Sequence, residues 1–308
     1  MTEIGLPELH GHFGERLQTD VRLARYTTAR VGGAVRWFAE SRSAAQLATD
    51  VRFLWEHDLP FLILGNGSNV LVSDSGWQGM VLYNQAKAVT FDLTVAAQPL
   101  LIAESGAALS AAVRQATERG LSGFEWAAGI PGTIGGAVYG NAGARGQDTQ
   151  QILALAEILH RNKGNLSLTA DQMEYSYRSS LLKREPGQAV ILSASFRLQP
   201  STPALVKEKV EEFNDLRRNS QPAGASMGST FKNPVGDFAG RLIEAAGLKG
   251  KKIGGVMVSP VHANFLVNDG SACAEDYHQL ISLIQKTVND RFSVALELEI
   301  ELLGEWQD

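Results

Sequence analysis

The chain has 308 residues, enough for about two domains of ordinary size. Lys+Arg 28 against Asp+Glu 33 gives a net charge of −5, with 44% hydrophobic and 20% charged residues, so a basic nucleic-acid-binding surface is not its main business. Cys273 is the single cysteine, which excludes an intrachain disulfide, a multi-cysteine zinc site and an iron–sulfur cluster, and no apolar run reaches the roughly 18 residues of a membrane-crossing helix.

The first twenty residues carry Glu3, Glu8, His10, His12, Glu15 and Arg16 around no apolar centre, so they do not read as a secretory signal, and a cytoplasmic location is expected. Residues 34–40 read as a strand. Ser43 then has the place of an N-cap for a helix over 44–57, with Leu47, Val51 and Leu54 at helical spacing. After Pro60, residues 61–64 form a short apolar run that reads as a buried strand. It leads straight into Gly65-Asn66-Gly67-Ser68-Asn69 and a second short strand over 70–72. Further strands are expected over 80–83, 88–93 and 100–105, and a helix over 110–119 closed by Gly120.

A second, denser glycine segment runs from Gly129 to Gly146. Beyond it, residues 152–160 and 166–169 read as a hairpin turning at Lys163-Gly164-Asn165, and 189–198 as another strand. Pro200 and Pro203 mark the main boundary, at 199–204. A charged helix over 204–217, a helix over 238–246 closed by Gly247, a strand over 263–267 and a long amphipathic helix over 274–291 follow. Residues 296–303 alternate apolar and acidic, as a final strand would. Strands and helices mix without a strict βαβ beat, which predicts an α+β fold.

Glycine is the informative excess: 31 residues, clustered in the two segments. A strand feeding Gly65-Asn66-Gly67-Ser68-Asn69 presents successive backbone N–H groups with no side chain in the way, a nest suited to phosphate oxygens. The segment is neither a P-loop nor a G-x-G-x-x-G opening a helix, and a tight strand-to-strand turn is the competing reading. Seven glycines in 129–146 each cost roughly 0.5–1 kcal/mol relative to alanine inside a regular element, so something approaches that backbone closely. A glycine-rich packing crossover is the alternative. Two such segments, both beside strands, point to a dinucleotide or another long phosphate-bearing cofactor.

These residues carry a family resemblance. Leu64-Gly-Asn-Gly-Ser-Asn-Val-Leu-Val72 and Ala128-Gly-Ile-Pro-Gly-Thr-Ile-Gly-Gly-Ala-Val-Tyr-Gly-Asn-Ala-Gly143 resemble the two FAD-cradling loops of the UDP-N-acetylenolpyruvoylglucosamine reductases, flavoproteins that make UDP-N-acetylmuramate for peptidoglycan. Tyr175-Ser-Tyr-Arg-Ser-Ser180, Gly228-Ser-Thr-Phe-Lys-Asn-Pro234 and Leu296-Glu-Leu-Glu-Ile300 follow in the family's order, together with Ala239–Gly250 and His262–Asn268. The likeness covers nearly the whole chain from Tyr26 onward.

The resemblance implies a two-subdomain FAD-binding domain of the vanillyl-alcohol-oxidase/PCMH type over 1–200, rejoined by a strand near 294–308, and a separate α/β substrate-binding domain over 204–293. It implies non-covalent FAD cradled by Gly65, Asn66, Gly67, Ser68 and Asn69 and by Gly129, Pro131, Gly132, Thr133, Gly135, Gly136, Asn141 and Gly143, with NADPH as reductant and no metal. It also implies UDP-N-acetylglucosamine enolpyruvate as substrate, no nucleic-acid or membrane partner, and a monomer or weak oligomer.

Arg178, a permanently charged planar fork, would stabilise the enolate formed when hydride adds to the enolpyruvyl group. Ser229 matches the family's proton donor and Glu299 the second glutamate of its terminal motif. Alternation puts Glu297 and Glu301 on the same face as Glu299, and the sequence does not choose among the three. Lys232, Asn233 and Asn264 would hold the substrate, as would Tyr177 and Arg241, for which a structural role competes. Lys249, Lys251 and Lys252 read as a solvated helix end. Met227 and Val256-Met257-Val258-Ser259-Pro260 depart from the family's usual residues on the substrate side. No tyrosine lies between Tyr177 and Tyr277, which predicts the short type of the family, without a tyrosine-bearing lid. Another FAD oxidoreductase of the same fold and a non-catalytic nucleotide-binding protein are the competing functions. Neither glycine segment contains the His or Cys that would attach flavin covalently, and a scaffold has no need of Arg178, Ser229 and Glu299 together.

Overall fold

A computed structural model of the chain describes residues 5–306; Glu3 of the N-terminal segment and the last two residues of 294–308 lie outside it. The chain forms two compact units: Met1–Gln18, Phe38–Gly65 and Gly79–Leu216 make the first, and Thr19–Trp37, Asn66–Gln78 and Arg217–Asp308 the second.

The first unit is built on a five-stranded antiparallel sheet in the order Gly164–Leu168, Leu153–His160, Ala189–Arg197, Leu100–Glu104, Val89–Asp92. The expected hairpin is its first pair, closing with His160 opposite Gly164. Period-2 alternation sends Ala194 and Phe196 into the core while Ser193 and Ser195 face away. Leu101, Ala103, Ala156 and Ile158 share that buried face, against Val113, Phe124, Trp126 and Ile134. The helix Ala44–Glu56 starts where its sequence says: the Ser43 hydroxyl accepts the Gln46 N–H at 3.1 Å, and Leu47, Val51 and Leu54 are buried. Phe61–Leu64 pairs in parallel with residues 80–83.

The second unit has its own core. A three-stranded antiparallel sheet, Lys252–Ile253, Val256–Val258 and Leu266–Asn268, packs with the helices Ala239–Ala245 and Ala274–Phe292 around Met227, Leu242, Ile243, Tyr277, Leu280 and Ile284. Val70–Val72 and Glu301–Leu303 pair in parallel, Val70 opposite Glu301. The long helix is capped from outside its own segment, Asp74 accepting the Ala274 and Glu275 N–H groups at 3.0 and 2.9 Å. Mixed helix and antiparallel sheet in both units make the fold α+β, as the pattern predicts.

Two strand expectations are corrected. The strand over 263–267 is Leu266–Asn268, because the chain turns first, with Phe265 N–H donating to the His262 carbonyl at 3.0 Å. The terminal strand over 296–303 is regular only at Glu301–Leu303; before it the backbone bonds residue by residue to 230 and 232. At the proline segment, Gln199–Pro200 pairs with Leu121–Ser122, and the first unit runs on to Leu216 inside the helix Pro203–Ser220.

One buried carboxylate ties the N-terminal segment to the helix Ala44–Glu56. Asp50, 1% exposed, accepts both Arg16 nitrogens at 2.8 and 2.9 Å and the Ser41 hydroxyl at 2.7 Å, and its Oδ1 lies 3.0 Å from His12 Nε2. Removing one partner of such a group leaves charge and donors unpaired. Asp50→Ala is expected to cost roughly 3 kcal/mol, read as a fall in the urea midpoint; an unchanged midpoint would show that the network contributes nothing net.

Candidate active site

Gly65-Asn66-Gly67-Ser68-Asn69 is not a hairpin turn. The strand before it pairs with residues 80–83 and the strand after it with Glu301–Leu303, so the two flanking strands belong to different sheets. Gly67, at φ +59, carries its carbonyl to the Thr28 N–H at 3.0 Å, and a Cβ there would sit 2.0 Å from the Tyr26 carbonyl oxygen. Asn66 and Asn69 are exposed, and the Asn69 amide donates to the Glu299 carbonyl at 3.1 Å.

In the second segment, the Thr133 hydroxyl caps the helix Ile134–Gly140, accepting the Gly136 N–H at 3.3 Å. The two segments touch: a Cβ on Gly65 would stand 2.6 Å from the Thr133 hydroxyl. Gly135 is required by its own surroundings too, its N–H on the Ser105 carbonyl at 2.7 Å and its missing Cβ 3.0 Å from that residue. Gly143 is opposite Asp148 in a two-residue pairing that leaves no room for a side chain. Gly136 is different. It is exposed, and a Cβ there would meet nothing nearer than the Thr133 hydroxyl at 3.6 Å. Glycine inside a helix costs about 1 kcal/mol against alanine, and here no neighbour within the chain demands it. A backbone kept bare where the fold does not need it bare fits close approach by an outside group. Exposed Gly129 and Pro131 lie on the same segment.

Arg178 is carried by this segment. Ser176 and Ser179 exchange both backbone hydrogen bonds at 3.1 Å, so Tyr177 and Arg178 form a two-residue tip, with Arg178 in the left-handed region at φ +55. Four bonds dock the tip. The Tyr175 hydroxyl donates to the Val138 carbonyl at 2.9 Å, Ser180 to Tyr139 at 2.7 Å, the Asn141 amide to Ser176 at 3.3 Å, and Arg178 Nη2 to Gly143 at 3.1 Å. Asn141, buried and left-handed at the end of the helix, also takes the Gln150 N–H at 3.1 Å and so braces the segment from within. Burial, with the Asp148 charge adding, pushes the Tyr175 phenol well above its ordinary range, so it stays a donor. Tyr177 is exposed, its ring centroid 5.5 Å from the Arg178 guanidinium carbon. Ser180, which also caps the helix Leu181–Arg184, escaped the sequence reading as a docking residue, although its place before a helical turn is a capping signal.

The second unit holds the other candidates on three aligned segments. Thr230 N–H donates to the Asn264 carbonyl at 2.8 Å on one side, and the Thr230 carbonyl accepts the Glu299 N–H at 2.9 Å on the other. Ser229 is bridged to Phe265, and Phe231 to Leu298. Ser229 and Glu299 therefore stand on adjacent hydrogen-bonded segments. Lys232 pairs with Glu297 at 3.2 Å, which leaves Glu297 76% exposed. The Asn233 side chain accepts the Ala239 N–H at 3.0 Å at the start of a helix. Exposed Arg241 forks onto Asp237, whose carboxyl that bond, then the Phe238 N–H, holds down to about 2. Both polar atoms of the Asn264 amide meet the Phe231 backbone, so the amide expected to hold the substrate is instead buried and committed within the chain. Of the residues expected to depart from the family's usual ones, Met227, Val256 and Val258 are core, Ser259 is buried, Met257 is half-buried and Pro260 is exposed. Lys249 and Lys252 pair with Glu244 and Asp269, as a solvated helix end does.

Residues 35–166 match the model of an FAD binding domain, and residues 220–303 that of the UDP-N-acetylenolpyruvoylglucosamine reductase C-terminal domain. An FAD-binding domain joined to that C-terminal domain defines an FAD-dependent oxidoreductase. The chain is 42% identical over 286 residues to the UDP-N-acetylenolpyruvoylglucosamine reductase of Rubrobacter xylanophilus, covering 93% of this chain and 95% of that protein. It is 41% identical over 308 residues to that of Caldicellulosiruptor saccharolyticus, covering 99% and 96%. The crystal structure of the reductase from Thermus caldophilus superposes with a TM-score of 0.80 at 32% identity, over 94% of this chain and 99% of that one. The chain belongs to the UDP-N-acetylenolpyruvoylglucosamine reductase family. Among the described residues no helix is long and apolar enough to cross a membrane.

The two kinds of glycine predict opposite outcomes. Gly136→Ala should leave the flavin-free protein as stable or up to about 1 kcal/mol more stable while weakening FAD retention. Gly65→Ala should lower stability by forcing Thr133 aside. Melting of the flavin-free proteins and flavin content after gel filtration check both; full FAD retention by Gly136→Ala would show that its bare backbone serves no cofactor.

Proposed function

We propose that the chain reduces UDP-N-acetylglucosamine enolpyruvate to UDP-N-acetylmuramate, a peptidoglycan precursor, with NADPH as reductant. FAD, held without a covalent bond by the two glycine segments, supplies the hydride when bound. The chain's own residues manage charge and protons. Arg178 holds the substrate carboxylate and stabilises the negative charge that spreads into it as hydride reaches the methylene carbon. Ser229 delivers a proton to the neighbouring carbon, which bears the ether oxygen. Glu299 polarises the enolpyruvyl group and relays a proton to the serine. Lys232, Asn233, Arg241 and Tyr177 hold the sugar nucleotide.

The observation that carries the reading is the Thr230 backbone, which bonds the Glu299 segment directly to the one bearing Ser229. Proton donor and relay partner need such a fixed spacing, and a bare nucleotide-binding scaffold does not. The parallel pairing of Glu301–Leu303 with Val70–Val72 supports a C-terminal strand that rejoins the FAD-binding domain over 1–200, with 204–293 as the substrate-binding domain. With no tyrosine between Tyr177 and Tyr277, the enzyme is of the short type, without a tyrosine lid. It works in the cytoplasm as a monomer or weak oligomer.

Two measurements test this. The purified protein should be yellow, and acid precipitation should release the flavin; flavin that stays with the polypeptide contradicts the reading. In stopped flow, Ser229→Ala should leave flavin reduction by NADPH nearly unchanged and slow reoxidation by the enolpyruvyl substrate by about 10²–10⁴-fold. Equal damage to both half-reactions would make Ser229 a structural residue.

A further inference from the structure

Phe231 has an unusual partner for a residue in the middle of three aligned segments. Its backbone N–H donates to Asn264 Oδ1 at 2.9 Å, and its carbonyl accepts from Asn264 Nδ2 at 2.8 Å. One side-chain amide thus performs the two-bond exchange that a neighbouring strand residue normally makes with its main chain. Asn264 and Phe231 are 3% and 1% exposed, so water cannot substitute for either bond. The turn over 262–265 does not continue as a strand at this point, and the amide fills the gap. Asn264 is itself fixed, its carbonyl taking the Thr230 N–H at 2.8 Å and its N–H donating to His262 Nδ1 at 3.2 Å. The His262 loop is held in turn by the Ser259 hydroxyl, which accepts the Val261 and His262 N–H groups at 3.1 and 3.2 Å.

We propose that Asn264 is a positioning residue for the protonation step: through Phe231 and Thr230 its amide sets the register between the Ser229 and Glu299 segments. The inference rests on the function proposed above. It accounts for an amide, rather than another small polar group, at this position. Only one donor and one acceptor, side by side and both neutral, satisfy the N–H and carbonyl of a single residue. A displacement of about 1 Å in a proton donor can cost on the order of 10²-fold in rate, so register at Phe231 bears on chemistry at Ser229.

A protonated carboxylic acid has the same donor–acceptor pattern as an amide, whereas a carboxylate would face the Phe231 carbonyl with like polarity. Asn264→Asp therefore supplies a pH-controlled version of the clamp. The charged groups around it are Lys232 on the middle segment, Glu297 and Glu299 on one side and His262 on the other, on which Lys249 and Glu244 act. Burial holds His262 below its usual range, so Nδ1 remains an acceptor near neutral pH.

The test uses full-length, FAD-loaded protein in stopped flow, with wild type in parallel. Asn264→Ala should leave reduction by NADPH within about twofold and slow reoxidation by UDP-N-acetylglucosamine enolpyruvate by roughly 10–100-fold. It should also speed hydrogen exchange at the Glu299 amide. Asn264→Asp should be slow at pH 8 and recover toward wild-type reoxidation as the pH falls to 6, and this variant carries the test alone if Asn264→Ala does not fold. Equal slowing of both half-reactions, unchanged reoxidation in folded Asn264→Ala, or an Asp variant whose deficit ignores pH would each overturn the proposal. Wild-type protein that NADPH reduces but the enolpyruvyl substrate does not reoxidise would overturn the proposed function itself, and the clamp's role with it.

Discussion

A helix whose first turn lies directly on a strand end has no room for side chains at the contact. The Gly135 N–H reaches the Ser105 carbonyl at 2.7 Å, and a Cβ would stand 3.0 Å from that oxygen. The rest of the first unit's site hangs from this approach. It places Thr133 where its hydroxyl both caps the helix and meets the bare backbone of Gly65. It sends the helix C-terminus and Gly143 toward the Tyr175–Ser180 turn, whose four docking bonds fix Arg178. A charged fork on a left-handed tip would otherwise sample many orientations; its Nη2 bond to the Gly143 carbonyl holds it in one.

The second unit reaches the same end with different means. Its sheet is short, and the segments bearing Ser229 and Glu299 are too irregular to form a ladder of their own. Single bonds do the work instead: Thr230 to Asn264, Glu299 to Thr230, Lys232 to Glu297. A well-packed core around Tyr277 and Ile284 stands behind them, and Asp74 and Asp276 cap the long helix. Rigidity at the site thus comes from paired backbone groups next to a closed core, not from long regular strands.

Much of this was legible in the sequence because it is local. Ser43 before an amphipathic run announces the helix it caps, and alternation marks the strand Ala189–Arg197 with its buried Ala194 and Phe196. The glycine segments were legible as places of close approach, but not which approach each residue serves. Gly143 and Gly136 look alike in sequence, yet one is demanded by Asp148 across a turn and the other by nothing in the chain. That distinction is set by residues brought near through folding. The same reason hides Asp50, whose partners come from the N-terminal segment and the end of a strand, and the partner of Asn264, read from the sequence as a substrate-holding residue, whose amide serves Phe231 across a segment pairing with no sequence period. The terminal alternation of Leu296 to Leu303 suggested a full strand. Only Glu301–Leu303 finds a regular partner, because residues 297–299 are committed to the backbone of 230–232.

The proposed reaction passes electrons from NADPH to an enolpyruvyl sugar nucleotide. An anaerobic two-step titration followed by flavin absorbance tests it most directly. NADPH should bleach the yellow protein, and one equivalent of UDP-N-acetylglucosamine enolpyruvate should restore the full oxidised spectrum, with UDP-N-acetylmuramate formed in equal amount. Protein that stays bleached in the presence of that substrate, or whose oxidised flavin an alcohol or sugar bleaches as readily as NADPH does, would contradict this reading.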